Sequence, residues 1–76
     1  MTDQAGGIHP ATKQLLRYFE WEHLPLHLQP ISRAFQTLAL QLVQGNLSEK
    51  PLDGPELTTA LRKLLEAKDC AVRAAL

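Results

Sequence analysis

The chain has 76 residues, four aromatic side chains, one cysteine and a formal net charge of zero at pH 7. This length allows one domain with a small core, and a single cysteine excludes an internal disulfide. The neutral charge argues against a protein that binds duplex DNA, and no apolar run approaches the roughly 20 residues of a membrane span. Because the histidines and the cysteine also lack zinc-site spacing, oligomerisation is the expected means of stabilising so small a core.

The N-terminal part predicts an arm followed by a short helix. Residues 1–9 contain a glycine pair and no apolar periodicity, so we expect a flexible arm. Pro10 suits the first turn of a helix, which carries Leu15 and Phe19. We expect this helix to end near the segment 23–25, because Pro25 disfavours helical backbone in the residue before it. The start also lacks the basic-then-apolar order of a signal peptide, and a free cysteine stays reduced in a cytosol, which together predict a cytoplasmic protein.

The middle of the chain predicts an amphipathic helix that begins at Pro30. Its apolar positions follow each other at spacings of four, three and four residues: Ile31, Phe35, Leu38 and Leu42. Gly45-Asn46 predicts a left-handed stop, and the polar stretch 48–54 predicts a connecting loop.

The C-terminal segment predicts a second long helix with a strong start signal. Asp53 and Glu56 have the spacing of a capping box, with Pro55 in the first turn. One face changes from leucine to alanine along the helix, through Leu57, Leu61, Leu64, Ala71 and Ala75, with Ala60, Ala67 and Ala74 beside it. Alanine allows close approach of another helix. The sequence therefore predicts an all-α antiparallel helical hairpin preceded by a short helix, in one domain over 10–76, which assembles into a symmetric homo-oligomer.

Enzyme chemistry has little support in the sequence. The chain contains no glycine-rich phosphate loop, no His-Glu-x-x-His pair and no recognisable nucleophile turn. We therefore predict a protein that is not an enzyme, with no catalytic residue, no metal site and no cofactor. We interpret Cys70, which lies among alanines, as a buried small side chain in preference to a reactive thiol.

The distinctive chemistry is a cluster of rings. Tyr18, Phe19, Trp21 and His23 fall within six residues and follow Arg17. Aromatic rings stack on nucleobases, and arginine binds phosphate oxygens, so the cluster suits a nucleotide. The alternative interpretation is that Phe19 and Tyr18 anchor the short helix and that Trp21 covers the small core.

Three cations have two interpretations each. Arg33 lies off the apolar face of its helix, so it faces either solvent or a neighbouring subunit. Lys68 and Arg73 lie beside the alanine face. They form either ordinary surface pairs or part of a pocket that a second chain completes.

An ordered set of motifs resembles a known family. The set comprises Trp21-Glu22-His23-Leu24-Pro25, a helix with Thr37-Leu38-Ala39, a proline-containing turn, and a last helix with Ala60-Leu61-x-x-Leu64-x-Glu66-Ala67. This order resembles the phage anti-CBASS sponges, whose hairpin is shared with sponges that counter Thoeris defence. The resemblance covers about residues 19–76. It implies a compact helical hairpin that assembles as a multimer, commonly a hexamer, and sequesters cyclic oligonucleotide signals without cleaving them.

The resemblance also implies site residues. The family's stacking aromatic falls on Trp21, its motif histidine and proline fall on His23 and Pro25, and Arg73 stands nearly one turn before the family's terminal arginine. Arg33 and Lys68 are predicted as phosphate contacts from charge and placement alone. The chain departs from the pattern at Glu22, which separates the aromatic from the histidine. It departs again at Cys70-Ala71-Val72, where the family has an aromatic and an asparagine.

The resemblance therefore predicts a phage-type sponge in the cytoplasm of a host bacterium, with cyclic di- or trinucleotides held between subunits as its ligands. The alternative is a small helical protein-interaction module that has no nucleotide ligand. A DNA-binding protein is a third interpretation, against which the zero net charge argues.

Overall fold

A computed structural model describes residues 10–45, 47–50, 52 and 54–76. This part of the chain is all-helical, as predicted, with α1 (Pro10–Arg17), α2 (Gln29–Gln44), α3 (Gly54–Ala74) and a 3-10 turn (Leu26–Leu28) before α2. Helix α3 packs against both α2 and α1. The predicted arm 1–9 and the predicted cap Asp53 lie outside the described residues. None of the described helices is both long and apolar enough to cross a membrane.

Helix α1 begins at Pro10 as predicted but ends at Arg17, so the prediction that it continues to the segment 23–25 is wrong. Beyond Arg17 the chain forms a turn with a hydrogen bond between residues three apart, in which the Phe19 N–H donates to the Leu16 carbonyl at 3.1 Å. The Phe19 side chain is completely buried. Burial of this side chain against the other helices stabilises the fold more than additional turns of α1 would. A helix as short as α1 is only marginally stable in isolation.

Helix α2 ends as its sequence predicts and begins at Gln29, one residue before the predicted start at Pro30. Pro30 lies in its first turn, where a missing N–H leaves no hydrogen bond unmade. Gly45 ends the helix in the left-handed conformation, with φ 75°, and its N–H donates to the Gln41 carbonyl at 3.1 Å. A side chain is rarely accommodated at that φ, so glycine determines the end of α2.

The core joins three segments of the chain. Phe19 from the turn after α1, Ala39 from α2 and Leu61 from α3 are completely buried together. Partly buried hydrophobic side chains surround them: Leu15, Leu16, Phe35, Leu42, Val43, Leu57, Leu64 and Leu65. Because Ala39 is small, α2 and α3 can approach closely at this point.

The alanine side of α3 lies mostly at the surface of the single chain. Ala71 is half-buried, whereas Ala60, Ala67, Ala74 and Ala75 are exposed, and the contact of this side with another chain stays a prediction. Cys70 is also exposed, so the prediction of a buried cysteine is wrong. The reason is helical geometry, since nine residues at about 100° each place Cys70 on the side of α3 opposite the buried Leu61.

One buried polar group has no hydrogen-bond partner. Ser32 in α2 is completely buried, and its Oγ is the one such side-chain atom found within the described part of the chain. A buried hydroxyl without a partner destabilises the folded state by about 1–3 kcal/mol. Ser32 thus weakens a core that is already small.

We expect Ser32→Ala to raise the free energy of unfolding by about 1–2 kcal/mol, because it removes the unpaired hydroxyl and adds helix propensity. The matched control is Thr59→Ala at an exposed position of α3, which should gain only about 0.5 kcal/mol from propensity. Urea unfolding followed by circular dichroism measures both values. Equal gains in the two variants would show that the Ser32 hydroxyl finds a partner in solution.

Candidate functional site

The segment between α1 and α2 holds the aromatic cluster against the start of α2. Gln29, the first residue of α2, donates from Nε2 to the Leu24 carbonyl at 2.9 Å and to the Glu22 carbonyl at 3.3 Å. These bonds satisfy two carbonyls of the loop and connect it to a helix. The backbone around Trp21 is therefore attached at both ends, by buried Phe19 on one side and by Gln29 on the other.

The indole of Trp21 makes two contacts with α2. Its Nε1–H donates to Gln36 Oε1 at 2.8 Å, and the guanidinium carbon of Arg33 lies 5.0 Å from the centroid of the ring. Arg33 and Gln36 are three residues apart, so they lie on the same side of α2. The hydrogen bond sets the orientation of the indole. A cation–π contact at an exposed site stabilises the pair of side chains by about 0.5–1 kcal/mol. Trp21 is half-buried as a result.

This arrangement combines two chemical properties at one place on the surface. An indole fixed in orientation offers a planar ring on which a base can stack. The exposed guanidinium of Arg33 can also donate to a phosphate or a carboxylate. Of the six predicted site residues, the structure brings Trp21 and Arg33 together.

Lys68 makes its polar contacts within the chain. Its side chain is only 12% exposed and lies 3.4 Å from Asp69 Oδ1. Its Nζ donates at 2.7 Å to the carbonyl of Tyr18, just beyond the end of α1. Carbonyls at a helix end lack partners within the helix, so the ammonium satisfies one of them. A ligand role for Lys68 stays a prediction.

The remaining predicted site residues lie apart from the contacts that Trp21 makes with α2. His23 and Pro25 are exposed in the same loop, and within the described ranges no hydrogen bond joins either of them to Trp21. Arg73 is exposed in the last turn of α3, where its Nη2 lies 3.4 Å from Cys70 Sγ. Their roles at a binding site stay predictions.

Sequence reasoning missed the two glutamines that hold the site together. Gln36 fixes the indole, and Gln29 fixes the loop. The sequence carries a signal for Gln36, since it stands three residues after Arg33 and so shares its face of α2. Nothing in the local pattern marks Gln29, because its partners are backbone carbonyls.

A cleft lies elsewhere on the surface, where α1 meets the start of α3. Thr12, Thr58 and Arg62 are among its lining residues, and Trp21 and Arg33 are not part of it. Among the residues that the structure describes, no group of three or more His, Cys, Asp and Glu could hold a metal ion. The indole and its two partners on α2 lie outside this cleft, and they form the place within the described residues where two predicted site residues contact each other.

The fold and the site together define a small all-helical protein with a surface indole held by an arginine and a glutamine. Comparison of the chain with protein families, with curated proteins and with solved structures found no match. The resemblance to the anti-CBASS sponges is therefore a hypothesis that depends on the sequence motifs alone.

We expect Lys68→Met to lower the free energy of unfolding by about 1 kcal/mol, because methionine keeps the apolar stem but cannot donate to the Tyr18 carbonyl. Lys63→Met, at an exposed position of the same helix, is the matched control and should change stability by less than about 0.5 kcal/mol. Urea unfolding measures both. If the two variants were equally stable, the Lys68 bond would contribute nothing to the fold.

Proposed function

We propose that this protein is a phage-type sponge that binds cyclic di- or trinucleotide immune signals of the anti-CBASS kind and sequesters them without cleavage. The proposal includes an antiparallel hairpin of α2 and α3 and a symmetric homo-oligomer, such as a hexamer, with its ligands in pockets between subunits. It places the protein in the cytoplasm of a host bacterium. The observation that carries it is the contact of Trp21 with Arg33 and Gln36.

The contacts of the indole support a stacking role. A ring that is already oriented loses little conformational freedom when a base stacks on it, so more of the interaction energy remains as affinity. The guanidinium on the same ring supplies a positive charge close to the stacked base. A cyclic oligonucleotide presents alternating bases and phosphates, which match an aromatic ring beside a cation.

Sequestration needs affinity and copy number but no reacting group. A Kd near nanomolar corresponds to about 12 kcal/mol. Stacking contributes roughly 1–3 kcal/mol for each base, so one indole is insufficient and several contacts must combine. A pocket between subunits, to which two chains contribute, would supply them. His23, Pro25, Lys68 and Arg73 are the further residues that we propose for it.

Native mass spectrometry tests the proposal directly. The purified protein is measured alone and after mixing with a panel of cyclic di- and trinucleotides, and bound ligand is then released by heat and weighed. We expect an oligomer that gains ligand masses in a fixed ratio and returns them intact. An absence of uptake would favour the protein-interaction module, and a cleaved ligand would show an enzyme.

We expect Trp21→Ala to weaken nucleotide binding by about 5- to 150-fold, which corresponds to the loss of one stack. Tyr18→Ala is the matched control, because Tyr18 is the chain's other large polar aromatic, is 63% exposed and keeps its backbone bond to Lys68. Trp21→Phe should retain part of the affinity. Isothermal titration measures all three, and unchanged affinity in Trp21→Ala would remove the indole from the site.

A further inference from the structure

The outward side of α2 carries almost no charge. Residues 34–48 contain no Asp, Glu, Lys, Arg or His. We define the neutral face as the exposed side chains of this helix after Arg33, which are Ala34, Thr37, Leu38, Leu40 and Gln44. Its two leucines, Leu38 and Leu40, are 39% and 37% exposed. The exposed side of a helix in a monomer normally carries charged residues.

The other helices follow the normal pattern. The exposed positions of α3 include Arg62, Lys63, Glu66, Asp69 and Arg73, and those of α1 include Lys13 and Arg17. The exposed charged residues of the helices therefore lie on α1 and α3, apart from Arg33 near the start of α2. Among the described helices the contrast is confined to α2, so its outward side is a candidate surface for contact with another protein.

We propose that the neutral face of α2 is the surface through which two copies of this chain pair about a two-fold axis. The inference deepens the proposed function, since it names the face through which the assembly forms. The inference depends on the proposed homo-oligomer, and it does not depend on the proposed nucleotide ligand. It differs from the sequence-based expectation, in which the alanine side of α3 makes the contact between subunits.

The absence of charge favours a second copy over a different protein. At a two-fold interface each residue near the axis meets its own counterpart, so any charge there would face a like charge. A neutral face avoids this repulsion. A different partner has no such constraint and would gain specificity from opposite charges across the contact.

The size of the core gives a second reason for pairing. Among the described residues only Phe19, Leu28, Ala39 and Leu61 are buried hydrophobic side chains. A core in a chain of this length rarely supplies more than about 3–5 kcal/mol, and pairing of α2 would add apolar burial at Leu38 and Leu40.

The position of the neutral face also relates it to the candidate site. Arg33, which lies on the ring of Trp21, immediately precedes Ala34 in α2. A second copy on the neutral face would therefore lie beside the indole. The pair of chains would then border one pocket, as the proposed function requires.

The test introduces charge at the centre of the neutral face. Thr37 is exposed near the midpoint of α2, so a two-fold axis through the face passes close to it. We expect Thr37→Glu and Thr37→Lys each to weaken self-association at least about 30-fold, because like charges then oppose each other. An equimolar mixture of the two variants should restore it, since opposite charges then meet.

Sedimentation velocity over a concentration series measures association, and circular dichroism checks that each variant is folded. Thr59→Glu, at an exposed position of α3, is the matched control and should sediment like the original chain. The inference is overturned if the original chain is monomeric or if both Thr37 variants assemble normally. Equal dissociation of Thr59→Glu, or a mixture that stays dissociated, would overturn it as well. An intact oligomer that takes up no nucleotide in native mass spectrometry would reject the proposed ligand and leave this interface standing.

Discussion

The burial of Phe19 is the contact on which the rest of the structure depends. Its ring, completely enclosed with Ala39 and Leu61, is the one fully buried large side chain of the described part that comes from outside α2 and α3. This contact ends α1 early and holds the following turn on both long helices. The position of Trp21, two residues later, is a consequence. A substitution such as Phe19→Ala would remove about 3–5 kcal/mol, which is most of the stability expected for a domain of this size.

The candidate site uses the same anchor. Hydrogen bonds to the loop supplement the hydrophobic contact of Phe19. Lys68 donates to the carbonyl of the residue before Phe19, and Gln29 donates to two carbonyls after it. The indole then needs only Arg33 and Gln36 to set its orientation. The indole is thereby fixed in orientation while it stays only half-buried, which is the condition that a stacking platform requires.

The sequence predicts what depends on local pattern and misses what depends on tertiary competition. Periodicity and glycine chemistry locate α2 and its end at Gly45. The predicted end of α1 is too late, because burial of Phe19 outweighs the helical tendency of the segment that follows it. The partner of Lys68 is a carbonyl exposed by that early end, and it has no signature in the sequence. The sequence places Arg33 and Gln36 on one face of α2, but it does not show that Trp21 contacts them, because that depends on how the loop folds back onto the helix.

Assembly and ligand binding are coupled if both proposals hold. Arg33 lies between the indole and the neutral face of α2, so an added chain and a bound nucleotide would act on the same side chain. Linkage then requires each event to change the affinity of the other by the same factor, and a pocket completed by the second chain makes that change favourable. A sponge gains from this coupling, because its pockets reach full affinity only in the assembled form, and the ligand that they capture stabilises that form in return.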